Sequence, residues 1–380
     1  MDILHPRCAG LDVHKASVQA CVRLLVEGEV IEHTQRFGTT TAELLALADW
    51  LASHGLTHVA MESTGVYWKP VYHLLEGRFE LLLVNAQHIK RVPGRKTDVK
   101  DAAWIAQLLQ HGLLSPSFVP PPEIRDLRDL TRQRTQLVRE RATVVNRIHK
   151  VLEDANIKLA CVVTDILGKS GRDMIAALIA GETDPDPLAE LARGSLKKKR
   201  PALRQALHGR VRDHHRFLLR TLLSQEEHLE GQIARYSARI DEVMAPFAPA
   251  TARLRQIPGI GRQAAEVIVA EIGTDMERFP TAGHLASWSG MCPGNHESAG
   301  KRHSGRTTKG SQWLRTTLVQ VAWAATHTQR TMFAAGYRRW VKRLGKKKAL
   351  VAVAHKILTV IYTLLKNQTD YREHGVPETA

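Results

Sequence analysis

Residues 9–15 read AGLDVHK and residues 59–65 read VAMESTG, and each stretch sets one carboxylate where an apolar strand meets a loop. A third stretch, GRKTDVKDA at residues 94–102, spaces Asp98 and Asp101 three apart, on one face of a helix. Asp12, Glu62, Asp98 and Asp101 are therefore four acids at strand and helix ends, in a chain of formal net charge +16. Acids gathered on a basic background are what a hard divalent cation needs. A cation held beside a basic surface is the usual arrangement for cutting nucleic acid. The competing reading is that acids favour first helical turns through the macrodipole, with Thr97 as the cap. That accounts for the Asp pair alone, but not for Asp12 and Glu62, which follow apolar strands.

Arg7–Asp12, Ser17–Leu25 and Val30–Phe37 read as three strands, and Thr41–His54 as an amphipathic helix. Thr57–Met61 gives a fourth strand, Val66–Leu75 a short helix, Glu80–Val84 an apolar strand, and about Asp98 to His111 a further helix. The order βββαβαβα is that of a ribonuclease-H-like domain, which predicts an α/β fold over residues 1–121. Residues 122–250 are rich in helix formers and charge. Two long tracts, Ile124–Ala155 and Pro201–Val243, carry apolar stripes (Leu127, Leu137 and Ile148; Leu218, Leu229 and Ile240) that predict a helical linker and coiled-coil arm. An ordinary helical bundle is the alternative. GETDPDP at 181–187 marks a loop, and KKKR at 197–200 a basic joint.

Residues 251–380 form a mainly helical third region. IPGIG at 257–261 places Gly259 and Gly261 in a tight turn between helices, as in helix-hairpin-helix modules whose turn amides receive a phosphate. A purely structural turn is the other reading. HESAGKRHSGRTTKG at 296–310 reads as a loop carrying Ser298, Lys301, Arg302, His303, Ser304, Arg306 and Lys309. From Ser298 to Thr369 there is no Asp or Glu, so the positive field of this stretch, Arg315 and RRWVKRLGKKK at 338–348 included, is uncompensated. Trp313, Trp323 and Trp340 fall at helical spacing, as core residues do.

The sequence pI near 9.9 favours a polyanionic partner, DNA or RNA. No signal-peptide pattern and no uninterrupted apolar run of about 18 residues is seen, which predicts a soluble cytoplasmic protein with no membrane partner. Cys8, Cys21, Cys161 and Cys292 lack C-x-x-C spacing and are expected to be buried free thiols.

Asp12 with Lys15, Glu62 with Thr64 and Gly65, Lys96-Thr97-Asp98 with Asp101-Ala102, the IPGIG turn, LASWSG at 285–290 and the serine-bearing basic loop together resemble the DEDD transposases of bacterial insertion sequences, the IS-one-ten family, also called bridge-RNA-guided recombinases. The likeness runs from the first strand to about residue 330. Ala299 stands where that family usually has Gly after its serine, and Met291-Cys292 replaces Leu-Thr.

The resemblance implies a RuvC-like N-terminal domain and a C-terminal transposase domain with a nucleophilic serine, Ser298 here, with Ser304 the nearby alternative. It implies two Mg²⁺ ions held by Asp12, Glu62, Asp98 and Asp101, and DNA cleavage and rejoining through a phosphoserine. Nucleic-acid contacts would come from Gly259, Gly261, Lys301, Arg302, Arg306, Lys309 and Arg315. Donor and target double-stranded DNA, a structured non-coding guide RNA and a homo-oligomer, dimer or tetramer, are the implied partners. A water-using structure-specific nuclease would need the acids but not Ser298, and an architectural nucleic-acid binder would need neither.

Overall fold

The alternating run RCAGLDV folds as strand β1 (Arg7–Val13), and the chain turns back into β2 (Ser17–Val26) through a bond from the His14 amide to the Ser17 carbonyl at 2.9 Å. Strand β3 (Glu29–Gly38) completes an antiparallel meander. Strands β4 (His58–Glu62) and β5 (Glu80–Val84) add in parallel beyond β1, giving the order β3-β2-β1-β4-β5. Parallel neighbours need crossovers, and these carry helices α1 (Thr41–Ser53) and α2 (Trp68–Leu75). Thr40 caps α1, its side chain accepting from the Glu43 amide at 3.4 Å.

The computed structural model describes residues 2–63, 65–85, 101–293, 296–298, 301–304, 307 and 310–373. The chain divides into two compact units, Met1–Val119 and Pro120–Ala380. In the first unit the fourth strand ends on Glu62 instead of Met61, so that carboxylate belongs to the sheet.

The two-residue period of a strand sorts the sheet's faces. Ala9, Leu11 and Val13 of β1, with Val59 and Met61 of β4, bury against α1 and α2. Cys8 and Ala60 face the other way, onto Trp104, Ile105, Leu108 and Leu109 of helix α3 (Asp101–Gln110). Gly10 lies between them in this register. A Cβ built on it would stand 2.3 Å from the Ala102 carbonyl oxygen and 2.4 Å from the Ala106 nitrogen, so α3 rests backbone to backbone on β1. Gly10→Ala is therefore expected to cost the first unit about 1–3 kcal/mol. Urea unfolding followed by circular dichroism measures this, and a variant as stable as the parent would show that α3 is seated elsewhere.

The second unit is built on two long helices, α4 (Pro122–Asp154) and α9 (Asp213–Met244). They run antiparallel: His215 of α9 bonds Asp154 at the end of α4 (2.8 Å), while Glu226, further along α9, pairs with Arg141, earlier on α4 (2.7 Å). Short helices α5 (Leu159–Val162), α6 (Lys169–Ala180), α7 (Pro185–Glu190) and α8 (Arg200–Leu207) close around one end and share a core with Ile148, Leu152, Leu219 and Leu229. The single tract expected over 201–243 is thus broken. The chain leaves the helix at His208 and returns at Asp213, because the Arg210 amide bonds the Ala155 carbonyl at 2.8 Å, docking the break on the end of α4. Leu229 and Ile240 are buried as the expected stripe has them, while at its start Leu219 is fully buried and Leu218 only half so.

Beyond α9 lie α10 (Ala248–Arg255), α11 (Arg262–Ile272), α12 (Ala282–Trp288), a hairpin of β6 (His296–Ser298) and β7 (Lys301–Ser304), then α13 (Gln312–His327), α14 (Met332–Leu344) and α15 (Lys346–Asn367). The stretch read as a loop is therefore a two-stranded ribbon. Helix α15 is long and apolar enough to cross a bilayer by length and composition. Ile357, Leu358 and Ile361 on it are fully buried and it packs on α12, α13 and α14, as a core helix does. Trp323 is 56% exposed, against the expectation of a core residue, whereas Trp313 and Trp340 are half-buried.

Of the four thiols, Cys8 and Cys21 are buried as expected, Cys292 is half-buried and Cys161 is exposed. Burial pushes the Cys8 thiol up to about 12, against a smaller opposing pull from Arg23. Only the thiolate reacts, so at pH 8 about one Cys8 in ten thousand is competent even where reagent reaches it. Maleimide should label Cys161 in the native protein and Cys8 only after denaturation, as peptide mass spectrometry will show. Rapid native labelling of Cys8 would contradict this packing.

Candidate functional site

In the first unit the placement of the acids follows from the sheet. Asp12 is two residues beyond Gly10 on β1, and Glu62 two beyond Ala60 on β4. Gly10 pairs with Ala60 in the parallel register. Both carboxylates therefore stand at the C-terminal ends of neighbouring parallel strands, on the face that α3 covers. Asp101 opens α3, one residue before the Ala102 carbonyl that presses on Gly10. Three of the four predicted acids are thus brought to one end of one sheet face, by one pairing and one close approach. Asp98 lies outside the described residues.

Asp12 is mostly shielded, with its side chain 19% exposed, and its Oδ2 is 3.0 Å from Nε2 of the exposed His14. His14 was missed as a site residue by sequence reasoning. Its position in AGLDVHK, two residues after the acid and at the start of the β1–β2 turn, was the available signal. Glu62 is half-buried and Asp101 exposed. The donors are carboxylate oxygens, the chemistry that magnesium or manganese takes. Their chemistry and shared face fit a divalent cation. Among the described residues no three His, Cys, Asp or Glu side chains close into a finished ligand cluster.

In the second unit, Ser298 and Lys301 form the register pair nearest the Ala299-Gly300 connection, while Ser304 pairs with His296 at the opposite end. Ser298 is therefore at the hairpin's apex end and Ser304 at its root, with a register shift between His296 and Glu297. Arg302 pairs with Glu297 on the same ribbon. A bridge between Pro293 and Thr307 closes the base. Arg306 and Lys309 lie outside the described residues, and Arg315 is in the first turn of α13.

The IPGIG turn joins α10 to α11. Gly259 has φ +89°, and a Cβ on it would meet the Val321 carbonyl at 2.4 Å and the Ala325 nitrogen at 2.8 Å, so packing on α13 demands this glycine. Gly261 is the N-cap of α11, without a side-chain cap. Both line a cleft of about 520 Å³ with Arg134, Arg139, Arg262 and Trp313. The guanidinium groups of Arg139 and Arg132 stand 5.2 and 5.7 Å from the Trp313 ring centroid.

Sequence reasoning also missed the ionic bed beneath this region. Glu271 of α11, its side chain 1% exposed, takes Nε and Nη2 of Arg132 at 2.7 and 2.9 Å and the hydroxyl of Ser311 at 2.9 Å. Ser311 in turn caps α13, accepting from the Leu314 amide at 3.3 Å. Arg128 donates to the carbonyls of Ala270 and Glu271, and burial draws its guanidinium down to about 10, partly offset by Glu271. Arg134 pairs with the buried Glu266 at 2.7 Å. The first helix after the hairpin is thereby tied to α4 and α11.

Residues 9–157 match the family model for the DEDD transposase of IS110, and residues 251–338 match that of the transposase IS116/IS110/IS902 family. The chain is 28% identical over 324 residues to a probable family 20 transposase of Pseudomonas aeruginosa, covering 83% of this chain and 85% of that one. It is 25% identical over 295 residues to the transposase for insertion sequence element IS1111A of Coxiella burnetii, covering 76% and 72%. A pilin gene-inverting protein of Moraxella bovis is 29% identical over 125 residues, 31% of this chain and 37% of that one. With its acids on one face of a ribonuclease-H-like sheet and both family models matched in order, the chain belongs to the IS110 family of insertion-sequence DEDD transposases.

Proposed function

We propose that this transposase cleaves and rejoins DNA through a covalent phosphoserine, with Asp12, Glu62, Asp98 and Asp101 holding two Mg²⁺ ions and Ser298 as nucleophile. The observation that carries the reading is the gathering of Asp12, Glu62 and Asp101 at one end of the α3 face of the sheet. When bound, the ions supply electrostatic stabilisation of the phosphate and its leaving oxygen. Asp12 is oriented by His14, and the turn that begins at His14 holds that pair at the strand end.

In the proposed exchange, Ser298 Oγ attacks the scissile phosphorus, an Oγ–P bond forms, the bond to one strand's oxygen breaks, and the hydroxyl proton ends on that leaving oxygen. A hydroxyl of the second strand then attacks the phosphoserine, one phosphodiester forms, and Ser298 regains its proton. One diester is made for each diester broken, so no ATP is needed. Lys301, Arg302, Arg306, Lys309 and Arg315 would stabilise the charge on the phosphate and hold the strands. The glycine turn at Gly259 and Gly261 is read as a helix-hairpin-helix element against the backbone. The antiparallel α4–α9 pair is read as a coiled-coil arm that assembles a dimer or tetramer. Donor and target DNA, selected by a structured non-coding guide RNA in the bacterial cytoplasm, complete the reading, on the strength of the family resemblance.

Asp12→Asn and Asp101→Asn should each abolish Mg²⁺-dependent cleavage while circular dichroism and DNA binding stay near the parent's. Ser298→Ala should lose the covalent protein–DNA adduct and Ser304→Ala should keep it, as mass spectrometry of the phosphorylated peptide will show. An adduct on Ser304 would move the nucleophile to the hairpin root. Cleavage by Ser298→Ala without any adduct would make water the nucleophile, and full activity of both Asn variants would remove the acids from the mechanism.

A further inference from the structure

A cavity of about 1040 Å³ opens in the second unit at the root of the hairpin, where Pro293 and Thr307 close its base and also line the cavity. Its walls have two chemistries. Trp340, Leu344 and Val351 from α14 and α15, with Met291 beneath, give an apolar interior. Around it stand Arg315, Lys347, Lys348 and Lys356. Among the described residues no ion pair engages any of these four cations, and no Asp or Glu lines the cavity. The sequence from Ser298 to Thr369 contains none to supply one.

An apolar slot holding an aromatic ring and ringed by cations with no ion pair among the described residues is complementary to one ligand chemistry, a nucleobase with its phosphate attached. A purely apolar partner would leave four desolvated cations unpaired. A paired duplex would present phosphates to the rim but nothing flat to the slot. We propose that this cavity receives an unpaired nucleotide of the DNA strand being exchanged, its base against Trp340 and its flanking phosphates on Arg315, Lys347, Lys348 and Lys356. Among the described residues its wall also offers Thr307, His355 and the Trp340 indole N–H as hydrogen-bonding groups beside the cations. The inference extends the transposase reading above by naming what the hairpin root holds, since opening a duplex for strand exchange must leave bases unpaired beside the cut.

The test uses the full chain carrying Ser298→Ala, so that a failure of serine chemistry leaves the assay readable. The probe is a duplex with a two-nucleotide bulge containing 2-aminopurine, compared with the continuous duplex and with an RNA strand of the bulge's sequence. The emission of 2-aminopurine should fall on binding. Trp340→Leu should abolish that fall and weaken binding of the bulged duplex about tenfold, the scale of one base–aromatic stack. It should leave continuous duplex unaffected, and Trp340→Phe should preserve the signal and exclude misfolding as the cause. Lys347→Gln with Lys348→Gln should flatten the log–log salt dependence on the unpaired strand by about 1.4. Unchanged binding and emission with Trp340→Leu would overturn the proposal. So would tighter binding of the RNA strand, or a change in oligomeric state by light scattering that shows the cavity to be a subunit contact.

Discussion

The seating of α3 on β1 at Gly10 is the constraint from which the placement of the acids in the first unit follows. No side chain separates the strand from the Ala102 carbonyl and the Ala106 nitrogen. The start of the helix is therefore fixed over the strand at close range, and Asp101 comes with it. Because strands alternate faces, the same residue parity that turns Gly10 toward α3 turns Asp12 toward it, and the Gly10–Ala60 register does the same for Glu62. Asp12 and Glu62 thus come to the C-terminal ends of neighbouring strands on the face that α3 covers, with Asp101 at the start of that helix.

In the second unit the corresponding frame is electrostatic. Glu271 and Glu266 are almost completely buried and each is met by arginines of α4, while Glu226 is held by Arg141 and by Arg172 at 2.6 Å. A buried pair of this kind adds little stability over an apolar replacement, yet removing one partner leaves an uncompensated charge costing about 3–5 kcal/mol. Such pairs therefore fix register more than they add stability. Here they set α11 and the cap of α13 against α4, so the hairpin between α12 and α13 springs from a positioned base. The positive charge between Ser298 and Thr369 is outside this accounting, since that stretch of sequence holds no Asp or Glu.

Much of the first unit was legible because its signals are local. The alternation in RCAGLDV and SVQACVRLLV, the capping Thr40 and the apolar ELLLV fixed strands and helix to within a residue or two. Asp12 and Glu62 had a local signal because each stands at the end of an apolar strand, and Asp101 because it opens a helix. The face they share was not legible, since it depends on which residue of β4 lies beside Gly10. The hairpin at 296–304 read as a loop because HESAGKRHS has no apolar alternation, the pattern by which a strand is recognised from sequence. The break at 208–212 was hidden because its cause, the Ala155 carbonyl, lies more than fifty residues away. Trp323 was misread because helical spacing gives the face of a helix but not what covers it. The buried arginine–glutamate pairs had no sequence signal, as surface helices carry the same residues.

Metal-directed backbone cleavage reports whether Asp12, Glu62 and Asp101 surround one ion. Fe²⁺ bound in place of Mg²⁺ generates hydroxyl radicals with ascorbate and peroxide, and these cut the polypeptide nearest the ion. Cuts should cluster around residues 12, 62 and 101, be suppressed by excess Mg²⁺ and be lost in the Asp12→Asn protein. Cuts that fall elsewhere, or a pattern unchanged by Asp12→Asn, would contradict that arrangement.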